Sequence, residues 1–368
     1  MRSKHPPLAQ AGFSLVEIMV ALVIGLLTTL VIMQVFTVFE GQKRATTGTA
    51  DAQTNGSIAL YTIGRDLQMA GYALIPATDS PIECTPPPTI NTGAYTAPVS
   101  TTGARVNLDL SPVIITDGGA GPGASDSISI AYGTNTMGGV STLISAMVGT
   151  TATVDNNLGC RVCDIALVIN GPNCTATTVV GPTAAPMTCP TAAPPAFSTT
   201  NTLVLQDVVG ITAGANLACL GSWNRIVYST NNGNLEVSGT PTLAGIVNIQ
   251  AQYGISPTTN SNQINQWVDA SAAPWNAVPL AIPDRNRIKA LRVAVVARNG
   301  LLEKEIVTTA CSSTTDAAPK GLCAWEGSAD SPAPTIDLTN DANWAYYRYR
   351  VFETIIPLRN MIWARETL

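Results

Sequence analysis

One acidic side chain in an apolar stretch has the clearest chemical consequence in this sequence. Glu17 interrupts the otherwise apolar run of residues 13–20. On insertion scales an acid in a membrane helix costs about 2.5–3.5 kcal/mol at mid-membrane and less near the interface. The carboxylate therefore needs a cationic partner, and none lies nearby in the same helix. We expect that partner on another molecule.

The segment that carries this acid is long enough to cross a membrane. Residues 18–38 contain no charged side chain, and at about 1.5 Å per residue they span a hydrocarbon core of about 30 Å. Arg2 and Lys4 precede the segment, which favours a cytoplasmic N-terminus. A cleaved secretory signal and a plain signal anchor are the alternatives. The apolar run exceeds the roughly 7–15 residues of an ordinary signal peptide.

The residues around the acid resemble a known signature. The sequence GFSLVE at residues 12–17, with a short basic leader before it and an apolar helix after it, is similar to the type IV prepilin signature. The resemblance implies that a prepilin peptidase cuts after Gly12 and then N-methylates Phe13. The new amine would lie one helical turn from Glu17. In a filament core, the carboxylate of Glu17 can then pair with the Phe13 amine of a neighbouring subunit, which favours one register.

Other segments resemble the PilW-type minor pilins. They are residues 63–72, the strands predicted at 246–253 and 288–298, and the closing stretch 349–360. The central region 84–221 matches only loosely, and its five clustered cysteines suggest an insertion. The apolar helix also lacks the mid-helix proline of many major pilins, which favours a minor subunit over a bulk filament subunit.

The predicted organisation has four parts. These are a leader at 1–12, a transmembrane and filament-core helix at 13–39, an amphipathic continuation at 40–72, and a globular β-rich head at 73–368. The helical continuation rests on apolar residues at helical spacing: Leu60, Ile63, Leu67, Ala70 and Leu74. The fold class is α+β, with a long N-terminal helix packed on an antiparallel β-sheet head that has long disulfide-containing loops.

Strand patterns recur through the head, mostly in its second half. A strong turn signal at 231–234, with sequence NNGN, predicts a hairpin between the apolar runs on either side. We predict further strands at 127–132, 202–205, 225–228 and 346–356. Short proline-rich stretches separate these strands.

The cysteines indicate disulfides in an oxidising compartment, because their number is even and all follow the apolar segment. The eight are Cys84, Cys160, Cys163, Cys174, Cys189, Cys219, Cys311 and Cys323. We predict one pairing, Cys311 with Cys323, across a loop between the last two strands. A thiolate zinc site formed by the CxxC at 160–163 with Cys174 and Cys189 is the alternative.

Composition argues against an enzyme. The single histidine, His5, lies in the predicted leader, so the mature chain would have no Ser-His-Asp triad and no His-ligated metal. No P-loop and no G-x-S-x-G motif occurs. We therefore expect no catalytic residue, no cofactor and no metal. Acidic turns at 117–126 and 337–341 suit solvated turns better than calcium sites.

The charge distribution makes nucleic acid an improbable partner. The formal net charge is −5, which excludes a global positive field. The densest basic run, residues 285–298, is interpreted as the polar face of a strand, with a subunit-contact face and a DNA-binding surface as alternatives.

The resemblance implies a minor pilin that helps to initiate type IV pilus assembly. We expect it near the tip, because copies of so large a head would crowd a shaft. Expected partners are other minor pilins, the major pilin, the prepilin peptidase and a tip adhesin. The expected location is the inner membrane, with a periplasmic head, and afterwards the extracellular pilus. Alternatives are a minor pseudopilin of a type II secretion system and a membrane-anchored adhesin that never polymerises.

Overall fold

The computed structural model describes residues 14–74, 88–91, 105–157, 159–171, 173–181 and 200–362. The chain divides into two compact units, Met1–Asp51 and Ala52–Leu368. A helix of 55 residues, α1 (Leu15–Met69), contains the boundary between them. The predicted leader, with Gly12 and Phe13, lies outside the described residues, and so do Cys84 and Cys189.

Strands and short helices follow α1 in the second unit. In chain order they are β1 (Thr89–Asn91), β2 (Arg105–Asn107), β3 (Val113–Thr116), β4 (Ser127–Tyr132), β5 (Ser141–Val148), β6 (Thr151–Val154), β7 (Ile165–Asn170), β8 (Asn173–Gly181), β9 (Thr202–Leu205), β10 (Asn216–Gly221), β11 (Asn224–Asn231), β12 (Asn234–Val237), β13 (Thr240–Ala244), β14 (Ile246–Ile255), β15 (Gln266–Val268), α2 (Ile282–Arg285), β16 (Ile288–Arg298), the 3₁₀ turn Trp344–Tyr346, β17 (Tyr349–Pro357) and α3 (Arg359–Ile362).

Every strand pairing among the named strands is antiparallel. One sheet has the order β15-β14-β16-β17 and a second has the order β13-β12-β11-β4-β3. Strands β10-β5-β6-β9-β8-β7 close into a barrel, and β1 pairs with β2. This arrangement of a long helix and antiparallel sheets confirms the α+β fold class.

The apolar face of α1 forms the main core with the sheets. Ile63, Leu67 and Ala70 are fully buried, and they share one cluster with Ile249 of β14 and Val293 of β16. The helical spacing found in the sequence therefore identifies the buried face correctly. After Met69 the helix gives way to a turn in which Gly71 has a φ of +74°, a left-handed conformation that favours glycine and is common just after a helix.

The sheet that contains β16 and β17 is covered on both faces. Side chains of α1 cover one face, as described above. On the other face, Val296 packs with Trp325, Ile336 and Leu338 from the long connection between β16 and β17. The sheet is therefore part of the interior except at its edges.

The barrel has a hydrophobic core of its own. Few of its strands were predicted from the sequence. Ile144, Leu203, Leu205 and Leu217 are fully buried inside it. The sequence predicted β9 but not β5 to β8 or β10. Their threonine-, alanine- and serine-rich composition weakens the two-residue alternation that marks a strand. These segments are identified as strands by their pairing with one another in the closed barrel.

Candidate functional site

Glu17 lies in the first turn of α1, within the first compact unit. Its backbone N–H donates to the carbonyl oxygen of Ser14 at 3.0 Å, which starts the helix. The side chain is exposed and makes no ion pair with any residue that the structure describes. The structure therefore leaves this carboxylate without a neutralising partner in the described chain.

A shallow groove runs along the helix surface from Glu17. Small side chains follow the acid at intervals of four residues, at Ala21, Gly25 and Thr29, and they line the groove with Ile18, Leu22 and Leu26. Nothing lies within 4 Å of the position that a Cβ of Gly25 would occupy. Small residues repeated at this spacing let two apolar helices approach closely. The groove thus has room for a second helix beside the acid.

The apolar part of α1 is long and hydrophobic enough to cross a membrane. Among the described residues it is the one helix that meets this criterion, and its most apolar window has a mean hydropathy of 2.7. Its hydroxyl groups are satisfied locally, since Thr28 Oγ1 donates to the carbonyl of Ile24 at 2.7 Å and Thr37 Oγ1 to that of Gln34 at 2.8 Å. Such internal bonds suit an environment without water.

The second half of α1 is held to the sheets by a buried acid, Asp66. Tyr228 Oη of β11 donates to Asp66 Oδ2 at 2.6 Å, and Arg65 Nε donates to Asp66 Oδ1 at 2.9 Å. Burial, followed by the hydrogen bond to Asp66, raises the pKa of Tyr228. Asp66 was not predicted from the sequence as a functional residue, although an acid beside a core position of a helix is the signal that could have identified it.

Two asparagine side chains also fix this part of α1. Asn55 Nδ2 donates to the carbonyl of Ala244 at 3.0 Å. Asn360 Nδ2, from α3, donates to the carbonyl of Ala70 at 2.9 Å. The last carbonyls of a helix lack partners within it, so Asn360 acts as a cap from the far end of the chain.

The described cysteines are all in disulfides. Cys160 bonds Cys219 in the barrel, and Cys311 bonds Cys323 in the connection between β16 and β17. The second is the pairing that the sequence predicted. Cys163 and Cys174 are also disulfide-bonded. The alternative zinc site is therefore excluded at Cys160, Cys163 and Cys174, because their sulfurs are already in disulfides.

The basic run 285–298 is not the polar face of one strand. Arg285 lies in α2, and Lys289 in β16 is 1% exposed, with its ammonium donating to the carbonyl of Asn286 at 2.8 Å. Arg292 contacts Glu353 at 3.2 Å, and Arg298 contacts Asp341 at 3.0 Å. The interpretation as one strand face was wrong because the two-residue spacing from Arg285 to Lys289 crosses from the helix α2 into the strand β16. These charges are largely neutralised within the chain.

The acidic turn at 117–126 is tied to the sheet. Asp126 accepts hydrogen bonds from the N–H groups of Gly118 and Ala251 at 3.0 and 2.8 Å. Burial raises the pKa of Asp126 to about 7, although these two hydrogen bonds act to lower it. No cluster of three His, Cys, Asp or Glu residues able to hold a metal occurs among the described residues. Asp126 therefore has a structural role in joining the turn to β14.

Comparisons with known proteins relate the second unit to one family. Residues 220–360 match the family model described as Type IV Pilus-assembly protein W, or PilW. The matched region runs from the end of the barrel through β11 to α3, and so includes Tyr228, β16 and β17. No curated protein and no solved structure matches the chain. Over residues 220–360 the chain is therefore similar to the PilW family of type IV pilus-assembly proteins.

Proposed function

We propose that this chain is a minor pilin, a structural subunit that helps to initiate type IV pilus assembly near the tip. The supporting observation is the combination of a PilW match at residues 220–360 with a Glu17 that has no ion pair among the described residues and lies at the start of an apolar helix. In this proposal a prepilin peptidase cuts after Gly12 and methylates the Phe13 amine. The chain first sits in the inner membrane with residues 73–368 in the periplasm, and later leaves with the pilus.

The role of Glu17 follows from electrostatics. A lone carboxylate in a medium of low dielectric constant is costly, and an opposite charge at hydrogen-bond distance removes most of that cost. In the proposal, the partner is the N-terminal amine of a neighbouring minor or major pilin. The groove of Ala21, Gly25 and Thr29 supports this, because it gives the neighbour's helix a place beside the acid.

Replacement of the acid tests the proposal. Glu17→Ala should leave export and folding intact but lower the amount of the chain in sheared pili at least about tenfold, since an unpaired buried amine costs several kcal/mol. The measurement is quantitative immunoblotting of pilus and membrane fractions from the native host. Asp51→Ala, which removes an exposed acid of the same helix, is the matched control. Equal incorporation of the two variants would contradict the proposed pairing.

A further inference from the structure

The outer edge of β17 differs from the other sheet edges in the described structure. Its nine residues pair with β16 in an uninterrupted register, from Arg298 opposite Tyr349 to Ala290 opposite Pro357. On its other side β17 has no strand neighbour among the described residues. Exposed edges of this length are templates for pairing with another chain, and proteins usually block them.

The free edge has a defined set of hydrogen-bonding groups. Leu358 N donates to the carbonyl of Lys289, and Asn299 N to that of Arg348, both at 2.9 Å. In an antiparallel ladder the bonded positions alternate, so the even-numbered residues of β17 bond to β16. Val351, Glu353 and Ile355 then direct their N–H and C=O groups outward. None of these N–H groups has a hydrogen bond to a described residue.

The other open edges are blocked or short, and β1 and β2 have only three residues each. On β3, the hydroxyl of Tyr253 accepts from the N–H of Ile115. Strand β13 contains Pro241, and its pairing with β12 is interrupted by a register shift. On the three-residue strand β15, Ser331 Oγ accepts from the N–H of Trp267 at 3.0 Å. Since each of these edges is capped, short or irregular, the long uncapped edge of β17 calls for an explanation.

The surroundings of the β17 edge favour an incoming strand. Phe352 and Ile356 of β17 lie against Gly56 and Gly64 of α1. Tyr61 precedes Gly64 by three residues, so it lies on the adjacent helical turn, and it is 72% exposed. On β17 itself, Ile355 is 51% exposed. A strand placed next to β17 would gain apolar contact with both side chains.

Charge indicates the chemistry of the partner. Arg350 and Arg359, near the two ends of β17, are exposed and make no ion pair with a described residue. A partner strand with carboxylates near its ends would complement them. A second copy of β17 would instead bring its own arginines.

Strand direction also argues against a second copy. The contacts of Phe352 with Gly56 and of Ile356 with Gly64 show that β17 runs parallel to α1. Two β17 strands joined antiparallel would point their α1 segments in opposite directions. In the proposed filament the subunits share one direction, so the α1 segments of their second units point the same way. The occupant is therefore a different strand.

We propose that β17 is a docking edge to which a neighbouring pilin subunit adds a strand that carries acidic residues. Backbone hydrogen bonds to Val351, Glu353 and Ile355 would supply affinity, and Arg350 and Arg359 would supply selectivity, as in other cases of strand addition. The inference rests on the proposed pilus function, because it takes the partner to be a subunit of the same assembly.

Photo-crosslinking in cells that assemble pili tests this edge. With p-benzoylphenylalanine in place of Tyr61 in the full chain, irradiation should give an adduct with another pilin subunit, attached within an acidic strand. Ile355→Pro removes an outward N–H and leaves the β16 ladder intact, so it should lower the adduct yield about tenfold, which is about 1.4 kcal/mol. Ile355→Ala keeps that N–H and is the matched control.

A second variant guards against misfolding of the proline variant. Arg350→Glu leaves the backbone unchanged and should also lower the adduct yield. The edge proposal is overturned if no adduct forms in piliated cells, if the adduct joins only two copies of this chain, or if Arg350→Glu leaves the yield unchanged. Failure of the proposed function is distinguishable, because cells that lack the whole chain would then assemble pili normally.

Discussion

Two acids of α1, Glu17 and Asp66, have opposite surroundings. Asp66 is buried, and it receives donors from Tyr228 and Arg65 of the same chain. Glu17 is exposed in an apolar segment and has no ion pair among the described residues. Because the charge of Asp66 is satisfied internally, it stabilises the fold. The charge of Glu17 needs a partner from outside, which is why we assign the assembly role to it.

Removal of the Tyr228 hydroxyl tests the structural role of Asp66. Tyr228→Phe should lower the free energy of unfolding by about 1–3 kcal/mol, because a buried carboxylate oxygen loses its donor. Urea denaturation of the purified full chain, followed by fluorescence, measures this change. The control is Tyr61→Phe at an exposed site, which should change stability by less than about 0.5 kcal/mol. If the two variants unfold alike, the hydrogen bond to Asp66 contributes little.

At the scale of elements, two glycines of α1 face β17, and only one of them sets the distance between the helix and the strand. A Cβ added to Gly56 would lie 2.2 Å from an atom of the Phe352 ring, whereas a Cβ added to Gly64 would lie 3.9 Å from Ile356. The first distance requires the ring to move, and the second is an ordinary contact. Gly56 therefore lets helix and strand approach closely, while Gly64 is not needed for space.

This difference gives opposite expectations for the same substitution. Gly64→Ala should stabilise the chain by up to about 1 kcal/mol through helix propensity. Gly56→Ala should destabilise it by about 1–3 kcal/mol through overpacking. Melting temperatures of the two variants in the same detergent provide the measurement. A Gly56→Ala variant as stable as Gly64→Ala would show that Phe352 moves aside easily.

Patterns within short stretches of sequence predicted the elements that depend on interactions between residues close in the chain. The apolar spacing of α1 identified its buried face, and the NNGN turn identified the β11–β12 hairpin, in which Asn232 and Gly233 both have positive φ as a type I′ turn requires. The barrel could not be predicted, because its strands are defined by closure between distant segments. Lys289 was misassigned for a related reason, since only the tertiary fold supplies the carbonyls that surround its ammonium.

The candidate site divides in the same way. Glu17 could be found from sequence, because its chemistry conflicts with its neighbours. The hydrogen bond between Asp66 and Tyr228 spans 162 residues, and the free edge of β17 is visible only once the strand order is known. Neither could be read from a local pattern.

At the scale of the whole molecule, the chain presents two different surfaces for assembly. The first unit offers an apolar helix with Glu17 and its groove. The second offers the uncapped edge of β17, within the region that matches PilW. In our account the first surface joins the filament core and the second selects the neighbouring subunit.

Both assignments require that the chain is processed as a prepilin. The direct measurement is intact mass spectrometry with N-terminal sequencing of the protein extracted from membranes of its native host. The account predicts a chain that begins at Phe13 with one methyl group on its amine, which places a cation one turn from Glu17. A chain that still begins at Met1 would contradict it, because no such amine would then exist to neutralise the acid.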